Sequence, residues 1–142
     1  MGLFDALGIS GSGLTAQRMR MDVTAENLAN AQSVGYKRKD VVVQQAPGDG
    51  GFGGALASAM GGSSTGGGGV QVSQITVDNG PGRRVYDPSH PDADKNGYVT
   101  LPNVNPVTEM VDLIDSSRAY EANVTAMNAT KQMMTKTLDL LK

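Results

Sequence analysis

The sequence predicts an α+β fold in which long N- and C-terminal helices pair as a coiled coil and a small antiparallel β-rich domain is inserted between them. Three observations carry this. Apolar residues step by three and four through the C-terminal quarter of the chain. A shorter apolar stripe recurs every seventh residue near the N-terminus. Between them lie short apolar segments of alternating character, broken by Gly, Pro, Asp and Asn. The corresponding segments are 1–36, 37–104 and 105–142, with a Gly-rich loop at 47–69.

The first helix is predicted from about Leu14 to about Gln32, with Ser12 as N-cap and Gly35 as the stop. Leu14, Met21 and Leu28 recur at seven, and Leu7 continues the stride upstream. Gly8, Gly11 and Gly13 argue against regular helix in that upstream stretch, because glycine is costly in a helix interior. Ala25, Ala29 and Ala31 keep the flanks narrow, which suits close helix–helix packing.

Strands are predicted at Lys37–Gln45, Val70–Val77, Arg83–Tyr86 and Tyr98–Leu101. The apolar phase of Val70–Val77 slips between Val72 and Ile75, the mark of a bulge. The stretch 47–69 holds 11 of the 19 glycines and reads as a loop without a packed core.

The last helix carries the clearest signal. Asn105 is a favourable N-cap, and Pro106 sits at the first helical position, where its missing N–H costs nothing. From there Met110, Leu113, Ser117, Tyr120, Val124, Met127, Lys131, Met134, Leu138 and Leu141 follow a 3.5-residue repeat, and eight of the ten are apolar. A helix of about 36 residues is roughly 54 Å long at the usual rise, too long to be covered by the rest of so small a chain. The seam of Leu14, Met21 and Leu28 is expected to pack on this stripe, with Ser117 and Lys131 as polar interruptions that fix register.

Composition narrows the function classes. Leu, Ile, Val and Phe together make 29 of 142 residues, and the net charge is only −2. So sparse a core points to a chain completed by contacts with other chains. No Cys and a single His, His90, leave no thiolate chemistry, triad or ordinary His-based metal site. A pI near 5.2 gives no basic footprint for nucleic acid. No apolar run spans a bilayer, and no Sec-type leader is expected at the N-terminus. Met1-Gly2 lacks the Ser or Thr at position six that myristoylation favours.

One segment invites a metal. Asp92, Asp94 and Asn96 with Gly97 imitate the start of a calcium loop. The twelfth position is Asn103, which supplies no bidentate carboxylate, and Pro88 and Pro91 bar a preceding helix. A turn rich in Asp, Asn and Gly is the favoured reading, with a calcium-binding interaction module as the alternative. Asp112, Asp115 and Glu121 have no nucleophile or base beside them in sequence, so no catalytic residue, metal or cofactor is assigned and the chain is read as not an enzyme.

The run from Leu14-Thr15-Ala16-Gln17 to Asn27-Leu28-Ala29-Asn30-Ala31, followed by Gly35-Tyr36-Lys37, resembles the N-terminal signature of the axial proteins of the bacterial flagellum. Tyr86-Asp87-Pro88, Asn96-Gly97-Tyr98-Val99, Leu101-Pro102-Asn103-Val104, Ser117-Arg118-Ala119-Tyr120-Glu121-Ala122-Asn123 and Lys131-Gln132-Met133-Met134 resemble the proximal-rod members of the basal-body rod proteins. The similar-sized FlgB-like rod proteins lack the Asn-Gly-Tyr-Val and Pro-Asn-Val block and stand as the second choice. The resemblance covers nearly the whole chain except 47–69.

The resemblance implies a structural subunit of a helical tube, the drive shaft that passes motor torque to the hook. It implies helices at the tube's core and the β-rich domain outside. The implied assembly residues are Leu14, Met21, Asn27, Leu28, Asn30, Met110, Leu113, Tyr120, Val124, Met127, Met134, Leu138 and Leu141. The implied partners are FlgB-like, FlgF-like and distal rod proteins, the rod-base adaptor FliE, further copies of the chain, and the flagellar type III apparatus that exports it without a cleaved leader. Neither nucleic acid nor direct membrane insertion is implied.

Overall fold

A computed structural model describes residues 3–46 and 68–140. The element order is α1 (Leu3–Ala29), β1 (Lys39–Gln45), β2 (Val70–Val77), β3 (Arg83–Tyr86), β4 (Tyr98–Leu101) and α2 (Pro106–Asp139). The α+β class holds.

The start of α1 is a correction. The helix runs through Gly8, Gly11 and Gly13 rather than beginning near Leu14. Tertiary packing overrides propensity here. At Gly13 an added Cβ would stand 3.2 Å from the Asn123 amide on α2, so the glycine lets the helices approach. Ser12 is not an N-cap but lies inside the helix. Its hydroxyl donates to the Ile9 carbonyl at 2.7 Å and accepts from the Val70 N–H at 3.0 Å, joining α1 to the start of β2. Gly69 makes that contact possible, because a Cβ there would fall 2.1 Å from the Ser12 hydroxyl.

The helix ends at Ala29, short of Gln32. The Asn30 amide reaches back to the Glu26 carbonyl at 2.9 Å, and the chain leaves through turns closed by Ser33 N–H to Asn30 and Tyr36 N–H to Ser33. Gly35 adopts φ +79° in this exit, a conformation open to glycine at little cost.

Strands β1 and β2 pair antiparallel from Lys39↔Val77 to Gln45↔Val70. Val42 faces Gln74 and Val43 faces Val72, so Ser73 is the bulged residue, at the place where the apolar phase slips. β3 and β4 form a second antiparallel pair, Arg83↔Leu101 to Tyr86↔Tyr98. The pairs are separate two-stranded sheets. The first packs on α1, while the second packs on itself and on neighbouring turns. The Gly-rich loop lies outside the described residues except at Gly68 and Gly69, where Ala46 N–H donates to the Gly69 carbonyl at 2.7 Å.

α2 starts where the cap predicts, with the Asn105 side chain accepting from Val107 N–H at 3.0 Å. It packs antiparallel along α1: Asn27, near the end of α1, meets Glu109 at the start of α2, and Gly13 meets Asn123 further on. Among the described residues the buried apolar set is small (Ala16, Val23, Ala31, Val41, Val99 and Val104), and nearly as many polar residues are buried with it.

Candidate assembly interface

The most enclosed group of side chains lies where α1 ends, β1 begins and α2 starts. Its centre is Asn27, 1% exposed. The Asn27 amide donates to the Lys39 carbonyl at 2.8 Å and to a Glu109 oxygen at 3.2 Å. Its oxygen accepts from the Tyr36 hydroxyl at 2.9 Å and from Lys39 N–H at 2.9 Å. Both ends of a buried amide are therefore satisfied, as burial demands.

Glu109 is the second member, also 1% exposed. Its other oxygen takes the Arg38 Nε at 2.7 Å. Arg38 also stands 3.9 Å from both Asp40 and Asp112. The hydrogen bond to Glu109 raises the Arg38 pKa above its ordinary value, against the opposing effect of burial. The Tyr36 phenol is pushed up by burial and by the nearby Glu26 carboxylate, so its O–H remains the donor to Asn27. Lys39 pairs with Glu26 at 2.5 Å, and Lys37 donates to Asn79 at 2.7 Å. The Lys37-Arg38-Lys39 cluster is thus spent on internal bonds.

The seam of α2 differs from the predicted one by a single residue at alternate positions. Its buried residues are Glu109, Ser116 and Thr130, which with Asn123 recur every seventh residue. Between them Leu113, Tyr120, Met127 and Met134 are half-buried, as the stripe predicts. Val124 and Ser117 are half-buried, whereas Met110, Lys131 and Leu138 are exposed. One residue is a rotation of about 100° on a helix, so the row of Glu109, Ser116, Asn123 and Thr130 faces α1, and the predicted row of Met110, Ser117, Val124 and Lys131 turns to the flank. On α1, Leu14, Met21 and Leu28 are half-buried, as is Asn30 just past its end, and the buried positions of the helix are Ala16, Val23, Thr24 and Asn27. Leu141 lies outside the described residues.

The polar row shares the heptad period of the apolar stripe. That regular spacing is the sequence signal for the polar row, and the stronger apolar periodicity beside it masks it. The Arg38–Glu109 pair spans 71 positions and leaves no local trace.

The first turns of α2 carry a continuous apolar face. Val107, Met110, Val111 and Ile114 expose between 46% and 65% of their surface, at the spacing of one helix side. Leu138 and Leu140 extend exposed apolar surface at the far end. A cleft of about 540 Å³ opens between α1, β1 and α2, lined by polar and charged groups including Arg20, Arg38, Asp112 and Asp115.

Asp92, Asp94 and Asn96 lie in the β3–β4 turn. Asp94 Oδ1 accepts from Lys95 N–H at 2.7 Å, and its backbone bonds with Gly97 and Tyr98 close the turn. Among the described residues, no three His, Cys, Asp or Glu side chains group as a metal site. No described helix is long and apolar enough to cross a membrane.

Comparison with known proteins supplies the context for these helices. Residues 7–37, which include most of α1 and its Gly35-Tyr36 exit, match a family described as "Flagella basal body rod protein". Residues 95–140, covering β4 and α2, match "Flagellar basal body rod FlgEFG protein C-terminal". The chain is similar to the flagellar basal-body rod protein FlgC of Bacillus subtilis (strain 168), with 50% identity over the full length of both. It is 44% identical to FlgC of Yersinia enterocolitica, over 99% of this chain and 98% of that one. It is 40% identical to FlgC of Borreliella burgdorferi, over 100% of this chain and 99% of that one. The two matched segments are the ones joined at Asn27 and Glu109, and with this identity over full length the chain belongs to the FlgC family of flagellar basal-body rod proteins.

Proposed function

We propose that the chain is a structural, non-catalytic subunit of the proximal rod of the flagellar basal body. Copies assemble with FlgB-like, FlgF-like and distal rod proteins and with the base adaptor FliE into the shaft that carries motor torque to the hook. The subunits reach the rod through the flagellar type III apparatus. In the assembled rod α1 and α2 act as a coiled-coil core spanning segments 1–36 and 105–142, and segment 37–104 lies outside it. Heterologous contacts between such subunits extend as a helix rather than close as a ring.

The observation that carries this reading is the exposed apolar surface of α2, left uncovered by an α1 that binds α2 through small and polar residues. Soluble monomers rarely leave such surface bare without use. The test is Leu138→Asp. Leu138 is 56% exposed, so the substitution leaves the subunit's own stability nearly unchanged. The expected outcome is a folded chain, by circular dichroism, that fails to enter basal bodies and does not support swimming. Normal assembly and motility of this variant would refute the helix-face reading.

A further inference from the structure

The β3–β4 hairpin carries a face that the helix packing does not use. Alternation places Arg83, Val85, Val99 and Leu101 on one side and Arg84, Tyr86, Tyr98 and Thr100 on the other. The first side is partly covered, with Val99 only 3% exposed. All four residues of the second side are exposed. There the Tyr86 and Tyr98 rings meet edge to face at 5.2 Å, and the Arg84 guanidinium lies 4.9 Å over the Tyr98 ring. Gly97 allows the close approach of the Tyr86 ring, since a Cβ there would stand 2.9 Å from it.

The cross-strand rings help to hold a two-stranded hairpin together. That role does not account for the charges. Among the described residues, no carboxylate lies within 4.0 Å of Arg83 or Arg84. The turn at the other end of the same hairpin holds Asp87, Asp92 and Asp94 against the single cation Lys95. The hairpin is therefore basic at its base and acidic at its tip, with the two ends only about 10 Å apart along the strand at the usual rise. Preordered tyrosines beside an arginine are the residue types that dominate interface energies, and their fixed placement lowers the cost of binding.

We infer that the outward face of β3–β4, built of Arg84, Tyr86, Tyr98 and Thr100, docks the acidic 87–94 turn of a second copy of this chain. The pairing is head to tail: the basic base of one hairpin receives the acidic tip of the next. It rests on the rod reading, in which copies stand side by side. Four residues bury far less than the ~800 Å² per side of a stable interface, so the contact works alongside the helix contacts that hold the copies together. It sets the order and offset of neighbouring β domains.

The chain has no cysteine, so a cross-link is unambiguous. Two tagged full-length chains are produced together in flagellated cells, one with Thr100→Cys and one with Asn96→Cys, and basal bodies are isolated and oxidised. The expected product is a mixed disulfide dimer, reduced about tenfold by Arg84→Glu and recovered when Asp94→Lys is added in the facing turn. Incorporated chains that give no mixed dimer, or mainly a Thr100–Thr100 dimer, overturn the docking and leave the rod reading standing. A cross-link from position 100 to a different protein also overturns it. Should the cysteine variants not incorporate, swimming decides: Arg84→Glu must impair it and Asp94→Lys in the same chain must restore it. Absence of the unsubstituted chain from basal bodies refutes the rod reading, and the docking with it.

Discussion

Replacing Asn27 by alanine removes the group that joins three elements at once. The Lys39 N–H and carbonyl, the Tyr36 hydroxyl and one Glu109 oxygen all lose a partner. These groups are buried or partly buried, and a polar group left unmade costs about 1–3 kcal/mol, less where water can reach it. Allowing for partial access at Tyr36 and Lys39, the loss is about 3–5 kcal/mol. For a chain of this size that lowers Tm by about 8–15 °C, against a total stability of order 5–15 kcal/mol. Thermal unfolding of the purified chain by circular dichroism measures it, with urea unfolding as a check on the slope. Asn30→Ala is the control, since Asn30 bonds only through exposed groups, to the Glu26 carbonyl and the Ser33 hydroxyl; its expected cost is below about 1 kcal/mol. If both variants shift Tm equally, or if Asn27→Ala shifts it by under about 3 °C, the junction does not hold the fold as argued.

Two further outcomes follow from the same structure. Gly11 has open space around its missing Cβ, so Gly11→Ala should raise stability by about 0.5–1 kcal/mol, whereas Gly69→Ala, forced into the Ser12 hydroxyl and its bond to Val70, should lower it by about 1–3 kcal/mol; unfolding of the two variants side by side checks the opposite signs. Asp87 accepts from the Ser89 hydroxyl at 2.6 Å and from its N–H, which holds the Asp87 pKa below its ordinary 3.8. A depressed carboxylate stabilises the fold above 3.8 and loses that contribution as pH falls through its lower folded value, so Ser89→Ala should move the Asp87 titration upward, as read by NMR, and lower stability slightly at neutral pH while leaving it unchanged in acid, where Asp87 is protonated.

Local chemistry made much of the fold readable. The strand limits of β2, β3 and β4 follow from alternation and flanking turn residues, and the bulge at Ser73 from one slip of phase. The Asn105 cap fixed the start of α2 because its partner is two residues away. What was hidden depends on contacts distant in sequence. Gly13 is tolerated in a helix because Asn123 lies against it, and Ser12 is inside the helix because Val70 and Gly69 come to meet it. The seam is displaced because apolarity and burial do not coincide on α2: Glu109, buried there, owes its place to Arg38 and Asn27.

That displacement bears on how the subunit divides its interactions. An apolar seam between α1 and α2 would bury more surface but would tolerate slippage by a turn. The row of Glu109, Ser116, Asn123 and Thr130 tolerates little slippage, since moving Glu109 by one turn strands its carboxylate away from Arg38 and Asn27. Separating a buried charge from its partner costs about 3–5 kcal/mol. The pairing therefore specifies register at the expense of burial within the chain. The larger apolar residues Val107, Met110, Val111 and Ile114 remain outside the pairing, exposed on the first turns of α2. A sparse core and an exposed apolar face are then two sides of one arrangement: polar bonds define the shape of the subunit and leave its larger apolar residues at the surface.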